Sequence, residues 1–151
     1  MRTFFITCFV GTVFATFATA EDVLPSSVVY EDGAVRTALT DAGGNAANGR
    51  KVFASRKLGN CLACHANEDL AEQSFHGQVG PPLNGVAERW SEAELRGIVS
   101  NSKMMFEGTI MPAFYKDTGY TRTLEKFEGK SILSAQQVED VVAYLMTLNE
   151  I

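Results

Sequence analysis

Cysteine is scarce in this chain of 151 residues, with Cys8, Cys61 and Cys64 alone, and histidine is scarcer still, with only His65 and His76. Long apolar runs are missing beyond residue 17, so no later segment is expected to cross a membrane. Basic residues are outnumbered, 13 Lys and Arg against 18 Asp and Glu, for a formal charge of −5. That balance argues against nucleic acid and against anionic lipid as partners. Strand signals are lacking too: no hairpin pattern stands out and no internal repeat is found.

The exception to the missing apolar runs is the start. Residues 1–20, MRTFFITCFVGTVFATFATA, carry one charge, Arg2, then an apolar run from Phe4 to Phe17, and close on Ala18-Thr19-Ala20. A basic start, a short apolar middle and a small-residue site describe a cleaved secretory signal. A membrane anchor would need about 20 apolar residues, and threonines interrupt this run. Cleavage would make the charge −6 by removing Arg2, and would take Cys8 with it. The remaining chain of about 130 residues is one domain on length alone. It is expected to be exported to the periplasm as a soluble product without membrane insertion.

Residues 21–44 have no sustained period and are punctuated by Pro25, Gly33, Gly43 and Gly44. They read either as a disordered leader or as an arm lying along a partner, the latter favoured by Val28, Val29, Tyr30 and Val35. From residue 45 a helical domain begins and runs to residue 151. Asn45 can cap a helix over about 46–57, with Val52 and Phe53 on its buried face and Gly59 as its stop. Ser91 with Glu94 forms a capping box for a second helix, whose apolar face is Leu95, Ile98 and Val99. Ser134 with Gln137 forms another, followed by Val138, Val141, Val142, Leu145 and Leu148 at i, i+3, i+4, i+7 spacing. The fold class is therefore mainly α, with few helices and long loops. Three short helices make a thin core for this length, and a large apolar cofactor would fill it.

The chemistry lies in residues 59–65, GNCLACH. Two cysteines separated by two residues staple nothing distant, so they are present for reactivity. A thioredoxin-type redox pair needs a strand-to-helix junction in an α/β fold, and no parallel sheet is predicted. A structural zinc site needs four ligands, usually as a second pair at similar spacing, and none exists. Covalent haem asks for less: Cys61 and Cys64 add to the two vinyl groups, and His65 comes under the ring to ligate the iron. One haem c is the expected cofactor.

A low-spin carrier closes the other axial position with Met or a second His. His76 follows His65 by only eleven residues and reads as a surface imidazole beside Gly77. Met146 sits in the last helix, where a thioether more often fills core gaps. Met104 and Met105 could line the haem edge. Met111 is best placed, because Gly108 and Pro112 favour an extended loop from which its thioether can project. The N–H of a ligating His65 needs an acceptor. The Gly80-Pro81-Pro82-Leu83 turn supplies carbonyls in a fixed direction, with Pro81 the candidate. The charged stretch 116–130 is expected to be a surface loop.

These segments, in this order, resemble class I cytochrome c over roughly residues 45–149. Asn48 to Phe53, the Cys61–His65 motif, the Gly80–Leu83 turn and a last helix bearing Tyr144 carry the resemblance. It implies a cytochrome c-like fold in which Gly49, Phe53 and Tyr144 pack where the first and last helices cross. A narrower resemblance, carried by GNCLACH, VGPPLNGVAERW and GTIMPAFY, is to SoxX, the monohaem subunit of SoxXA complexes. It implies Met111 as the distal ligand and an N-terminal extension, residues 21–44, that binds a SoxA-like cytochrome subunit. It also implies an electron relay within a thiosulfate-coupling enzyme, an L-cysteine S-thiosulfotransferase whose sulfur chemistry is on the partner. The further partners implied are a SoxY-like carrier protein and a downstream acceptor such as a small cytochrome c. The alternative is a free-standing periplasmic class I cytochrome c that shuttles electrons by diffusion.

Overall fold

The computed structural model describes residues 21–150. Asn45 caps the first helix, α1 (Ala46–Ala54), by accepting from Asn48 N. The helix is three residues shorter than the pattern predicts. Ser55 leaves the helical region, its N–H still bonding to Lys51 O and Val52 O. The chain then doubles back, with Leu58 N and Asn60 N both donating to Ser55 O and Gly59 N to Val52 O. A one-turn helix, α2 (Val86–Arg89), precedes α3 (Glu92–Asn101). The last helix is α4 (Ala135–Leu145). Both predicted capping boxes form, Ser91 with Glu94 and Ser134 with Gln137. The predicted stripe of α4 is buried at every position from Val138 to Leu148, and on α3 Leu95 and Val99 are buried while Ile98 is half-buried.

The core is organised by the crossing of α1 and α4, with α3 against α4. Gly49 makes the crossing possible: a Cβ there would lie 1.9 Å from Asp140 O and 2.8 Å from Tyr144 Cβ. One turn on, Phe53 meets Tyr144 edge to face at 5.5 Å between centroids. The Tyr144 hydroxyl donates to Asp69 Oδ2 at 2.7 Å and accepts from the fully buried Asn67 amide at 2.9 Å. The crossing is thereby tied to the segment that follows the cysteine motif.

Residues 21–44 are not the disordered leader that was one of the two sequence expectations. They are ordered against their own domain, with Val35 and Leu39 in the core. Leu39 N donates to Glu139 Oε1 at 2.7 Å, and Arg96 donates to both Glu139 (2.8 Å) and Val35 O (3.0 Å). Arg96 and Glu139 are buried as an ion pair whose remaining bonding capacity is spent on this segment and on Glu92. The segment also contains a tight hairpin turn that the pattern reading missed. Asp32 and Gly33 take φ of +50° and +83°, and Glu31 and Ala34 exchange two backbone hydrogen bonds of 2.9 Å. Asp-Gly is a favoured pair for a two-residue turn. Apart from this bridge no strand pairing occurs among the described residues. The reading of residues 1–20 as a signal lies outside the described residues, in which no helix is long and apolar enough to cross a membrane.

Candidate haem site

Cys61–Ala63 forms a 3-10 turn entered through Asn60 in the left-handed region. Cys64 N and His65 N both bond to Cys61 O, at 3.1 and 3.0 Å, which folds the motif into one compact loop. The segment 77–80 runs alongside it, with Gly77 N donating to Leu62 O and Gly80 N to Cys64 O, both at 2.8 Å. Cys61 and Cys64 are unpaired and half-buried. Burial pushes the Cys61 thiol up to about 12. A redox-active Cys-x-x-Cys pair works through a lowered thiol pKa, so this environment disfavours the thioredoxin-type reading.

The His65 ring lies against the backbone of Gly80. A Cβ at that position would fall 2.3 Å from Cε1 and 2.7 Å from Nε2, so only glycine admits the ring here. His65 Nδ1 is 2.8 Å from Pro81 O, and a carbonyl can only accept, which makes Nδ1 the protonated nitrogen. Nε2 is left with its lone pair and has no hydrogen-bond partner among the described residues. A metal-ligating imidazole needs this state: one nitrogen fixed by an acceptor, the other free to donate to iron. The thiol pair, the tautomer and the glycine cradle together fit a covalently held haem.

Met111 is half-buried against the core and comes from a separate loop. No hydrogen bond joins that loop to the cysteine motif among the described residues. Its carbonyl accepts from Ser102 Oγ at 3.0 Å and from the Lys103 ammonium. Of the competing residues, His76 is engaged elsewhere. His76 is not an idle surface imidazole: Nδ1 accepts from Asn67 N at 3.2 Å and Nε2 donates to Leu70 O at 3.0 Å. With both nitrogens spent it braces the loop after the motif. Met104 is half exposed, Met105 packs on Gly33, and Met146 is 36% exposed rather than filling a core gap.

Sequence reasoning missed Asn67, Gly80, Ser102 and Lys103. The Gly80 role was accessible, since it begins the Gly-Pro-Pro turn assigned to His65. Asn67 and Ser102 gave no signal, because an isolated polar residue in a loop reads as solvated.

Helices crossing at a glycine, a Cys-x-x-Cys-His loop and a histidine oriented by a proline carbonyl define a class of small haem-carrying electron-transfer domains. Residues 46–149 match the family model for cytochrome c, and the chain belongs to that family. The narrower resemblance to SoxX is borne out by a solved structure, the crystal structure of SoxXA from P. pantotrophus. The identity is 50% over 85% of this chain and 99% of that one, with a TM-score of 0.80. No curated protein matches the chain. The expected mainly helical cytochrome fold, one covalent haem c and an electron-transfer role follow from these likenesses.

Proposed function

We propose that this chain is the electron relay of a SoxXA-type complex, in which it docks on a SoxA-like cytochrome subunit and takes electrons released when thiosulfate is coupled to a carrier-protein cysteine. The likeness to SoxXA along almost the whole of the matched chain carries the reading. The thiosulfotransferase step belongs to the partner, a SoxY-like protein carries the sulfur substrate, and a small cytochrome c accepts the electrons downstream. Residues 1–20 are cleaved, and the mature protein works outside the cytoplasm.

In this reading Cys61 and Cys64 would hold the haem as thioethers, and His65 and Met111 would bind its iron. The bound haem supplies the one-electron exchange between Fe(III) and Fe(II). The protein's own groups do the rest. The Pro81 carbonyl holds the His65 Nδ1 proton, which orients the ring and makes Nε2 a stronger donor. A thioether from Met111 favours Fe(II) and raises the potential relative to two histidines, suiting an acceptor for a lower-potential haem. Iron held by both side chains would offer substrate no open position, which suits a relay rather than a catalytic centre.

Partner contact falls to the outer side of residues 21–44. Val35 and Leu39 are committed to the core, whereas Leu24 and Val29 are 56% and 72% exposed. The test is to express the chain with its signal and its candidate partner in a host that attaches haem, in wild-type, Met111→Ala and Val29→Asp forms. Wild type should stain for haem after denaturing electrophoresis, co-purify with the partner and display the thioether-to-iron absorption band. Met111→Ala should lose the band and keep the stain, and Val29→Asp should lose the partner and keep the band. A wild-type protein that stains for haem but never retains the partner would be a free shuttle, and the relay reading would fail.

A further inference from the structure

The Met111 loop is laid along the last turn of α3. Ser102, at the end of that helix, is fully buried, and its hydroxyl donates to Met111 O at 3.0 Å. Three and four residues beyond Met111, Phe114 N and Tyr115 N donate to Val99 O and Ser100 O at 3.3 and 2.9 Å. These carbonyls belong to the helix end, where no intrahelical donor is available. Lys103 donates to Met111 O and, at 3.2 Å, to Thr109 O from the exposed side. Met111 N completes the set by donating to Thr109 Oγ1 at 3.3 Å.

Two positions away Ser100 provides an internal comparison. It is as buried as Ser102, but its hydroxyl has no partner. The two residues share a helix end, a side-chain chemistry and a degree of burial. They differ in that one hydroxyl is aimed at the peptide carrying Met111 and the other is aimed at nothing. Lys103 reaches the same carbonyl, but water can replace a solvated ammonium as donor. Nothing can replace a hydroxyl that solvent does not reach.

We propose that Ser102 is a positioning residue for Met111: its buried hydroxyl fixes the peptide from which the thioether projects and sets how firmly the thioether is held at the iron. The inference rests on Met111 being the axial ligand. The test uses the haem-loaded full chain in wild-type, Ser102→Ala, Ser102→Thr, Ser100→Ala and Met111→Ala forms. Imidazole is added to the oxidised protein and its binding followed by absorption. It binds iron only where the thioether has left, so its apparent affinity scales with the population of that form. Losing one buried hydrogen bond shifts such an equilibrium about fivefold. Ser102→Ala should therefore bind imidazole about fivefold more tightly, Ser100→Ala should bind as wild type, and Ser102→Thr should move back toward wild type. Denaturant midpoints measured alongside separate loosening of the ligand loop from general loss of stability. Wild-type affinity in Ser102→Ala, or equal shifts in Ser102→Ala and Ser100→Ala, would overturn the positioning role and leave Met111 as ligand. Survival of the thioether band in Met111→Ala would instead remove the ligand assignment itself.

Discussion

Gly49→Ala adds one methyl group at the point where α1 and α4 touch. That methyl would stand 1.9 Å from Asp140 O, 2.5 Å from Asp140 C and 2.8 Å from Tyr144 Cβ. Two of the three obstacles are backbone, so no rotamer change relieves them. Carbon and oxygen approach no closer than about 3.3 Å even in favourable C–H contacts. The helices must therefore part by more than about 1 Å, and a gap of that size forfeits up to about half of each dispersion contact across it. The edge contact of Phe53 with Tyr144 is on the same interface and loosens with it. Overpacking of this kind costs about 3 kcal/mol. Against it stands the preference of a helix for Ala over Gly, about 1 kcal/mol. The clash wins by about 2 kcal/mol, which for a domain of this size lowers Tm by roughly 8 °C. Thermal unfolding of the haem-loaded protein, held in one redox state, reads this directly. A Gly49→Ala protein as stable as wild type, or more so, would mean that helix propensity outweighs contact and that the helices do not meet at this residue.

Asp69 is held below the usual carboxylate range, first by the Tyr144 hydroxyl and next by the Arg50 guanidinium. A depressed folded pKa contributes stability above the unfolded value, near 3.8, and loses it as pH falls through the folded value. Tyr144→Phe removes the first cause, so stability in urea between about pH 6 and pH 2 should fall less steeply on the acid side than in wild type. Solvent screening keeps the difference small, because Asp69 is nearly half exposed; identical profiles would refute the link. Glu139→Ala strands the buried Arg96 guanidinium and leaves Leu39 N without its acceptor. Removing one member of a buried pair costs about 3 kcal/mol at the lower end, and the surviving contact from Arg96 to Glu92 favours that end. Denaturation should record the loss, and limited proteolysis should open new cuts within residues 23–40; an unchanged digest would show that this ion pair does not hold the segment.

What the sequence disclosed was whatever is fixed by neighbours in the chain. Capping boxes satisfy helix N–H groups three residues away, and the α4 stripe repeats with the helical turn, so both were legible. The Cys61–His65 spacing was legible because covalent chemistry dictates it. The Asp32-Gly33 turn was equally local and should have been read. The end of α1 was not, since a return of the chain onto Ser55 and Val52 breaks the helix before Gly59 does. Nor were the pairs Leu39 with Glu139, Asn67 with Tyr144, or Ser102 with Met111. Each joins a residue to a partner outside its own local segment, and a single sequence does not say which polar residues are buried together. Arg96, Glu139 and Asn67 are residue types typical of surfaces and gain their roles only from distant partners, Arg96 and Glu139 from each other and Asn67 from Tyr144.

The N-terminal segment shows what this distinction changes. As a free arm, residues 21–44 could be deleted to ask whether they bind a partner. Here the same deletion removes Val35 and Leu39 from the core, the acceptor of Arg96 at Val35 O, and the Val23 carbonyl that takes a 2.6 Å bond from the Tyr115 hydroxyl. Tyr115 lies four residues after Met111, so truncation would disturb the loop that carries Met111 as well as any docking surface. Loss of a partner on deletion would then have two causes that no binding assay separates. Single changes at Leu24 and Val29 avoid this. Their side chains are exposed, and their replacement leaves the hydrogen bonds of Val23, Val35 and Leu39 intact. An effect of Val29→Asp on partner retention with an unaltered thioether band therefore isolates docking from folding.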